Sequence, residues 1–123
     1  MAQRGRITMI FTYNHVKLNR VVDGDTVDLN IDLGFGIYTR QRFRIGGINA
    51  PEPRGEERDA GLEASAFLVD MLEDAHSITI QTSKEKGKYG RYIADIFVGD
   101  GSGDLYNVAQ LMVEAGHAIF QDY

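Results

Sequence analysis

The sequence predicts an α+β fold that is mainly β: a five-stranded, partly open barrel with two or three helices packed on it. Three observations lead there. Short segments rich in β-branched and aromatic residues, several with period-two alternation, recur five times along the chain. Two segments of helical periodicity interrupt them, one after the third strand and one after the fifth. Gly- and Asp-rich turns separate most of the rest. Three strands, a helix, two strands and a helix is the order of an OB-fold. At 123 residues, 43% of them hydrophobic, the whole of 1–123 is expected to be one domain.

Taken in order, Arg6–Val22 reads as one long strand or two short ones, with a kink at Asn14. Asp23-Gly24-Asp25 is a turn signal. In Thr26–Leu33 the apolar Val27, Leu29, Ile31 and Leu33 alternate with Asp28, Asn30 and Asp32, the pattern of a half-buried strand. Gly34-Phe35-Gly36 is a turn. Ile37–Ile48 is a third strand, interrupted by Gly46 and Gly47, which signal a bulge, a bend or a close backbone approach. A polar loop, Pro51 to Asp59, leads into a helix over about 60–75, with Asp59 as N-cap. Ala64, Leu68, Met71, Leu72 and Ala75 share one face of it.

Ser77–Thr82 is the fourth strand, Ser83–Gly90 a basic loop, and Tyr92–Val98 the fifth strand. A turn at Gly99–Gly103 and a short return at Leu105-Tyr106 follow. Asn107, with Gln110 three residues on, is a capping-box arrangement for a second helix, and Gly116 is its expected stop. His117–Tyr123 is read as a last extended piece.

Composition narrows the chemistry. Without cysteine there is no disulfide framework, thiolate zinc site or thiol nucleophile. No apolar run spans a membrane, and the first residues lack an apolar leader segment, so a cytoplasmic protein is expected; a processed secreted form would read the same. His15, His76 and His117 are far apart and lack zinc-hydrolase spacing, and there is no G-x-x-x-x-G-K-[ST] loop or nucleophile elbow. The net charge of −5 argues against a pure nucleic-acid binder, yet nine of the 13 basic residues lie in two windows, Arg40–Arg58 and Lys84–Arg91. Those windows can form a local patch for a polyanion.

Three separated stretches carry chemistry: VVDGDTV at 21–27, RFRIGGINAPE at 42–52 and KYGRYIADIF at 88–97. Asp23 and Asp25, with one glycine between them, attract a hard divalent cation; for Asp23 a turn aspartate bonding its own backbone is an equal reading. Arg44 reads as outward-pointing on a strand before a glycine-bent turn, and Arg91 follows Tyr89-Gly90; either could equally be a solvated arginine. Together with LEASAF at 62–67 and NVAQLMVEAGHA at 107–118, these stretches resemble the staphylococcal-nuclease-like family, the thermonucleases, from about Arg20 to Ala118.

The resemblance implies a calcium-dependent phosphodiesterase that cuts DNA and RNA, single strands preferred, and leaves 3′-phosphate ends. It implies one calcium ion, with magnesium or manganese as substitutes, held by Asp25, the side chain of Asn49 and the backbone carbonyl of Ala50, with Asp23 behind them. It implies that Arg44 and Arg91 clamp the scissile phosphate, that Glu52 orients or deprotonates the attacking water, and that Lys88 and Tyr89 touch a terminal phosphate. Tyr123 is a further candidate for a base-stacking ring.

The sequence departs from the family at Asn49, where an aspartate is usual, and at Ala50, where a threonine is usual. Losing one ligand charge predicts weaker calcium binding. The Glu56-Glu57 loop is short and acidic, and the chain ends soon after Ala118, which predicts lower stability or a fold completed by a partner copy; a monomer is expected, with a dimer as the alternative. The alternative to an enzyme is a catalytically weakened domain that only binds nucleic acid or protein. Retention of Asp25, Arg44, Glu52 and Arg91 together favours the enzyme.

Overall fold

A parallel seam closes the barrel. The strands β1 (Phe11–Asp23), β2 (Thr26–Gly34) and β3 (Ile37–Ile45) form an antiparallel meander. β1 then pairs with β5 (Ser77–Lys86), and β5 with β6 (Tyr92–Gly99), both antiparallel. The circuit shuts where β6 returns parallel to β3, with Phe43, Arg44 and Ile45 opposite Tyr92, Ile93 and Ala94. The result is a mainly β, closed five-stranded barrel with two α-helices, as the strand–helix order predicts. The computed structural model describes residues 9–122, apart from the Lys88 side chain, so Tyr123 and the start of the expected first strand lie outside the described residues.

Alternation fills the interior. Val27, Leu29 and Ile31 from β2, Phe43 and Ile45 from β3, and Ile78, Ile80, Ala94, Ile96 and Val98 from β5 and β6 are all buried. Helix α1 (Arg58–Asp74) covers one side with Gly61, Ala64, Leu68 and Leu72. It starts before the predicted residue: Glu57 is the N-cap position, and Asp59 sits in the first turn, where its charge suits the helix dipole. Helix α2 (Val108–Glu114) begins at Asn107, whose Oδ1 accepts from the Gln110 backbone N–H at 3.1 Å. The reciprocal half of the capping box is not formed, because the Gln110 amide donates to Glu114 instead.

The expected kink in the first strand is a register shift between Tyr13 and Val16 against β5, within one continuous strand. The third strand stops at Ile45, and after the Gly46-Gly47 turn a two-residue β4 (Ile48–Asn49) pairs with β8 (Ile119–Phe120). β7 (Leu105–Asn107) extends the sheet beside β6. The basic segment after Thr82 is not simply a loop: β5 runs on to Lys86 through a bulge. Among the described residues no helix is long and apolar enough to cross a membrane.

Candidate active site

Asp25 is the hub. It leaves the turn between β1 and β2 with only 7% of its surface exposed. Its Oδ2 accepts from the Ala50 backbone N–H at 2.9 Å and lies 3.3 Å from Arg44 Nη2. Its Oδ1 accepts from the Thr26 hydroxyl at 3.1 Å, and its own backbone N–H donates to Asp23 Oδ1 at 3.2 Å. One carboxylate thus ties β2 to the β4 segment, 25 residues away. Burial, followed by the neighbouring Asp23 carboxyl, pushes Asp25 up to about 6, against the opposing pull of the Ala50 N–H and Arg44.

The turn can hold this packing because residue 24 has no side chain. A Cβ there would come within 2.8 Å of the Ala50 Cβ and 2.9 Å of the Ala64 Cβ. Gly24, Ala50 and Ala64 form a close contact of small residues beneath the carboxylate, so a larger residue at 50 would press on the turn.

Arg44 corrects an expectation. It does not point into solvent: it is buried, 3% exposed. Its Nη1 donates to the Ile45 carbonyl at 2.7 Å, and its Nη2 donates to Asn49 Oδ1 at 3.3 Å. A guanidinium taken out of water at this cost must be tied to an anion, and Asp25 supplies one. Arg91, partly buried at the start of β6, donates from Nη1 to the Thr26 hydroxyl at 3.0 Å and lies over the Tyr89 ring at 5.4 Å. The two arginines, 47 residues apart, therefore attach to adjacent residues of one turn, Asp25 and Thr26. Thr26 is only 2% exposed and carries the link, yet it was not among the expected site residues. Its position directly after Asp25 was the available signal.

Glu52 stands apart from this cluster. Its side chain is 57% exposed, and its Oε2 pairs with Arg54 Nη1 at 2.7 Å. The loop that carries it presses on α1: a Cβ on Gly61 would sit 2.1 Å from the Glu52 carbonyl oxygen and 2.5 Å from the Pro53 nitrogen. Tyr89 is 89% exposed and has a left-handed backbone, φ 63°. Lys88 is present in the same turn, but its side chain lies outside the described residues.

Comparison with known proteins gives the family. Residues 42–123 match the family model described as staphylococcal nuclease homologue. This chain belongs to the staphylococcal nuclease family. It is 30% identical over 94 residues to a thermonuclease of Staphylococcus intermedius, covering 74% of this chain and 51% of that protein. It is 31% identical over 86 residues to a thermonuclease of Staphylococcus hyicus, covering 68% and 48%. Against endonuclease YhcR of Bacillus subtilis it is 29% identical over 110 residues, covering 82% of this chain and 8% of that protein. The chain thus spans about half or less of the length of the relatives it matches.

The donors of this staphylococcal nuclease homologue fit the cation implied by the resemblance. Among the described residues no group of three or more His, Cys, Asp or Glu side chains gathers at one place. What gathers is the Asp25 carboxylate, with Asp23 beside it, the Ala50 backbone N–H bonded to it, and the Asn49 amide oxygen one residue earlier. Carboxylate and amide oxygens suit a hard divalent ion. A cation beside this carboxylate would offset the burial, and then the Asp23 neighbour, that push Asp25 up. The fit is weak in charge, since Asn49 brings none and its oxygen already accepts from Arg44.

Proposed function

We propose that this chain is a nuclease that hydrolyses phosphodiester bonds in DNA and RNA, preferring single strands, and that it works as a monomeric single domain. The observation that carries the reading is the pair of guanidiniums anchored on neighbouring residues, Arg44 on Asp25 at 3.3 Å and Arg91 on Thr26 at 3.0 Å. Two forks held close together match the several oxygens of one phosphate and stabilise the charge that grows there during attack.

Asp25, the Asn49 amide oxygen and the Ala50 carbonyl would hold one calcium ion, with magnesium or manganese as substitutes. Bound there, the ion supplies positive charge beside the phosphate. Glu52 accepts the proton of the attacking water as its oxygen bonds to phosphorus. The bond from phosphorus to the 5′ oxygen breaks, and that oxygen takes a proton from solvent water and leaves as a hydroxyl, so the other product keeps a 3′-phosphate. Glu52 must first give up Arg54; an exposed pair of this kind is worth at most about 1 kcal/mol, which substrate binding readily exceeds. Lys88 and Tyr89 would take a terminal phosphate of the strand.

A second reading has its own support. Asn49 in place of an acid, and Glu52 engaged with Arg54, suit a domain that holds nucleic acid without cutting it. One experiment separates the two: cleavage of a single-stranded oligonucleotide with calcium, with magnesium and with chelator, beside Arg44→Ala and Glu52→Ser. Calcium-dependent cutting that falls by roughly a hundredfold or more in both variants is expected. A folded wild type that binds the strand but never cuts it would establish the binding module.

A further inference from the structure

We infer that the open mouth of the barrel is a second nucleic-acid subsite, which takes an unpaired base of the substrate strand outside the arginine cluster. This inference rests on the nuclease reading for the identity of the strand. The mouth holds a cavity of about 180 Å³. Buried Phe43 forms part of its wall, with partly buried Tyr13 and Tyr92 and the aliphatic Ile31 and Leu33. Phe43 and Tyr92 meet as a tilted pair across the β3–β6 seam, with ring centroids 6.2 Å apart and planes at 42°. Flat apolar walls of this kind accept a ring by stacking, whatever the base.

The polar groups at the mouth match the rest of a nucleotide. Gln41 Nε2 donates to Thr39 Oγ1 at 2.8 Å, which fixes the amide and leaves its carbonyl oxygen and the threonine hydroxyl to meet a base edge. Two ammonium groups lie on the rings: Lys84 Nζ is 4.1 Å from the Phe11 centroid and 5.3 Å from that of Tyr13, and Lys86 Nζ is 5.1 Å from that of Tyr92. They give phosphates on either side of the base a cationic rim. Arg91 directly precedes Tyr92 and Arg44 directly follows Phe43, so the cavity and the arginine cluster lie on opposite faces of one seam, and the substrate strand passes over that seam to meet both.

Lys84 is the strained residue in this arrangement. It adopts φ +64°, the left-handed region that a side chain disfavours, inside the bulge of β5. Its backbone N–H donates to Thr82 Oγ1 at 3.0 Å, and that hydroxyl donates to the Ile93 carbonyl at 2.8 Å. Two hydrogen bonds thus fix a bulge that aims a lysine at the mouth. Glycine would relax the backbone there, but it would remove the cation.

The test uses Lys84→Gly and Gln41→Leu beside wild type, with oligothymidylate as the long probe and thymidylyl dinucleotide as the short one. Binding is titrated in chelator, and the Tyr13 and Tyr92 ring resonances are followed by NMR. Each variant should weaken oligothymidylate binding by roughly tenfold, while dinucleotide cleavage stays within about twofold of wild type. Lys84→Gly should melt at or above the wild-type temperature. Wild-type oligothymidylate affinity in both variants, or tyrosine rings that do not shift on adding the strand, would overturn the subsite. A wild type that binds with shifted rings but never cuts would sink the nuclease reading and leave the subsite standing.

Discussion

The Arg91 guanidinium donates to the Thr26 hydroxyl at 3.0 Å, and the same hydroxyl donates to Asp25 Oδ1 at 3.1 Å. A single buried oxygen therefore sets both the direction of an arginine and the hydrogen bonding of a carboxylate. Thr26→Val keeps the shape and removes that oxygen. It leaves a buried acceptor and an arginine nitrogen each short of a partner, at about 1–3 kcal/mol of stability. The expected outcome is a lower melting temperature and cleavage reduced at least tenfold, with Thr26→Ser restoring most of both. Paired melting and kcat measurements on the two variants check it.

Gly61 tests how firmly α1 places the Glu52 loop. In an exposed helix, glycine to alanine would be worth about 0.5–1 kcal/mol of added stability. Here the new Cβ would meet the Glu52 carbonyl oxygen at 2.1 Å, so the backbone of residues 52–53 must move. Overpacking of that kind costs about 1–3 kcal/mol and outweighs the propensity gain. Gly61→Ala should therefore be destabilised and should lose cleavage through kcat more than through KM. A variant as stable and as active as wild type would mean that the loop accommodates the methyl freely.

Asn49 tests the charge at the proposed cation site. Asn49→Asp adds a carboxylate near Asp25 and turns the 3.3 Å contact with Arg44 into an ion pair. Calcium affinity should rise by roughly tenfold, since ligand charge is one of the levers on calcium affinity. Calorimetric titration measures this directly, and unchanged affinity would remove Asn49 from the ligand set.

The acid limb of the stability curve should report Asp28. Arg42 holds its carboxylate with bonds of 2.7 and 3.1 Å, and that hydrogen bonding draws Asp28 below the ordinary carboxylate range. A depressed carboxyl binds its proton less readily in the folded state than in the unfolded chain. Its contribution is thus complete above about pH 4, the unfolded value, and is lost as pH falls through the folded one. Arg42 is half exposed, which limits the contribution to less than about 1 kcal/mol. Asp28→Asn should lower the melting temperature at pH 7 by a few degrees and narrow the gap to wild type as pH drops below 4.

The barrel was largely legible because its signals are local. The alternation of Val27, Leu29 and Ile31 and the periodicity of Ala64, Leu68 and Leu72 record which side of each element faces the core. Asn107 announced the start of α2 in the same local way. What was not legible depends on partners distant in sequence. An arginine between Phe43 and Ile45 looks solvent-facing until the turn at Asp25 closes over it. Thr26 looks like an ordinary strand threonine until Arg91 arrives from β6. The extension of β5 past Thr82 was hidden because a bulge breaks the alternation that marks a strand.

The β3–β6 seam also controls when the arginine cluster comes into being. Phe43–Ile45 and Tyr92–Ala94 are separated in sequence by α1 and β5, so their pairing is among the more costly in loop-closure entropy. A chain growing from its N-terminus carries Asp25, Thr26 and Arg44 long before Arg91 has been made. Completion of the arginine cluster is therefore tied to completion of the barrel. A half-built copy holds one arginine of the cluster without the other.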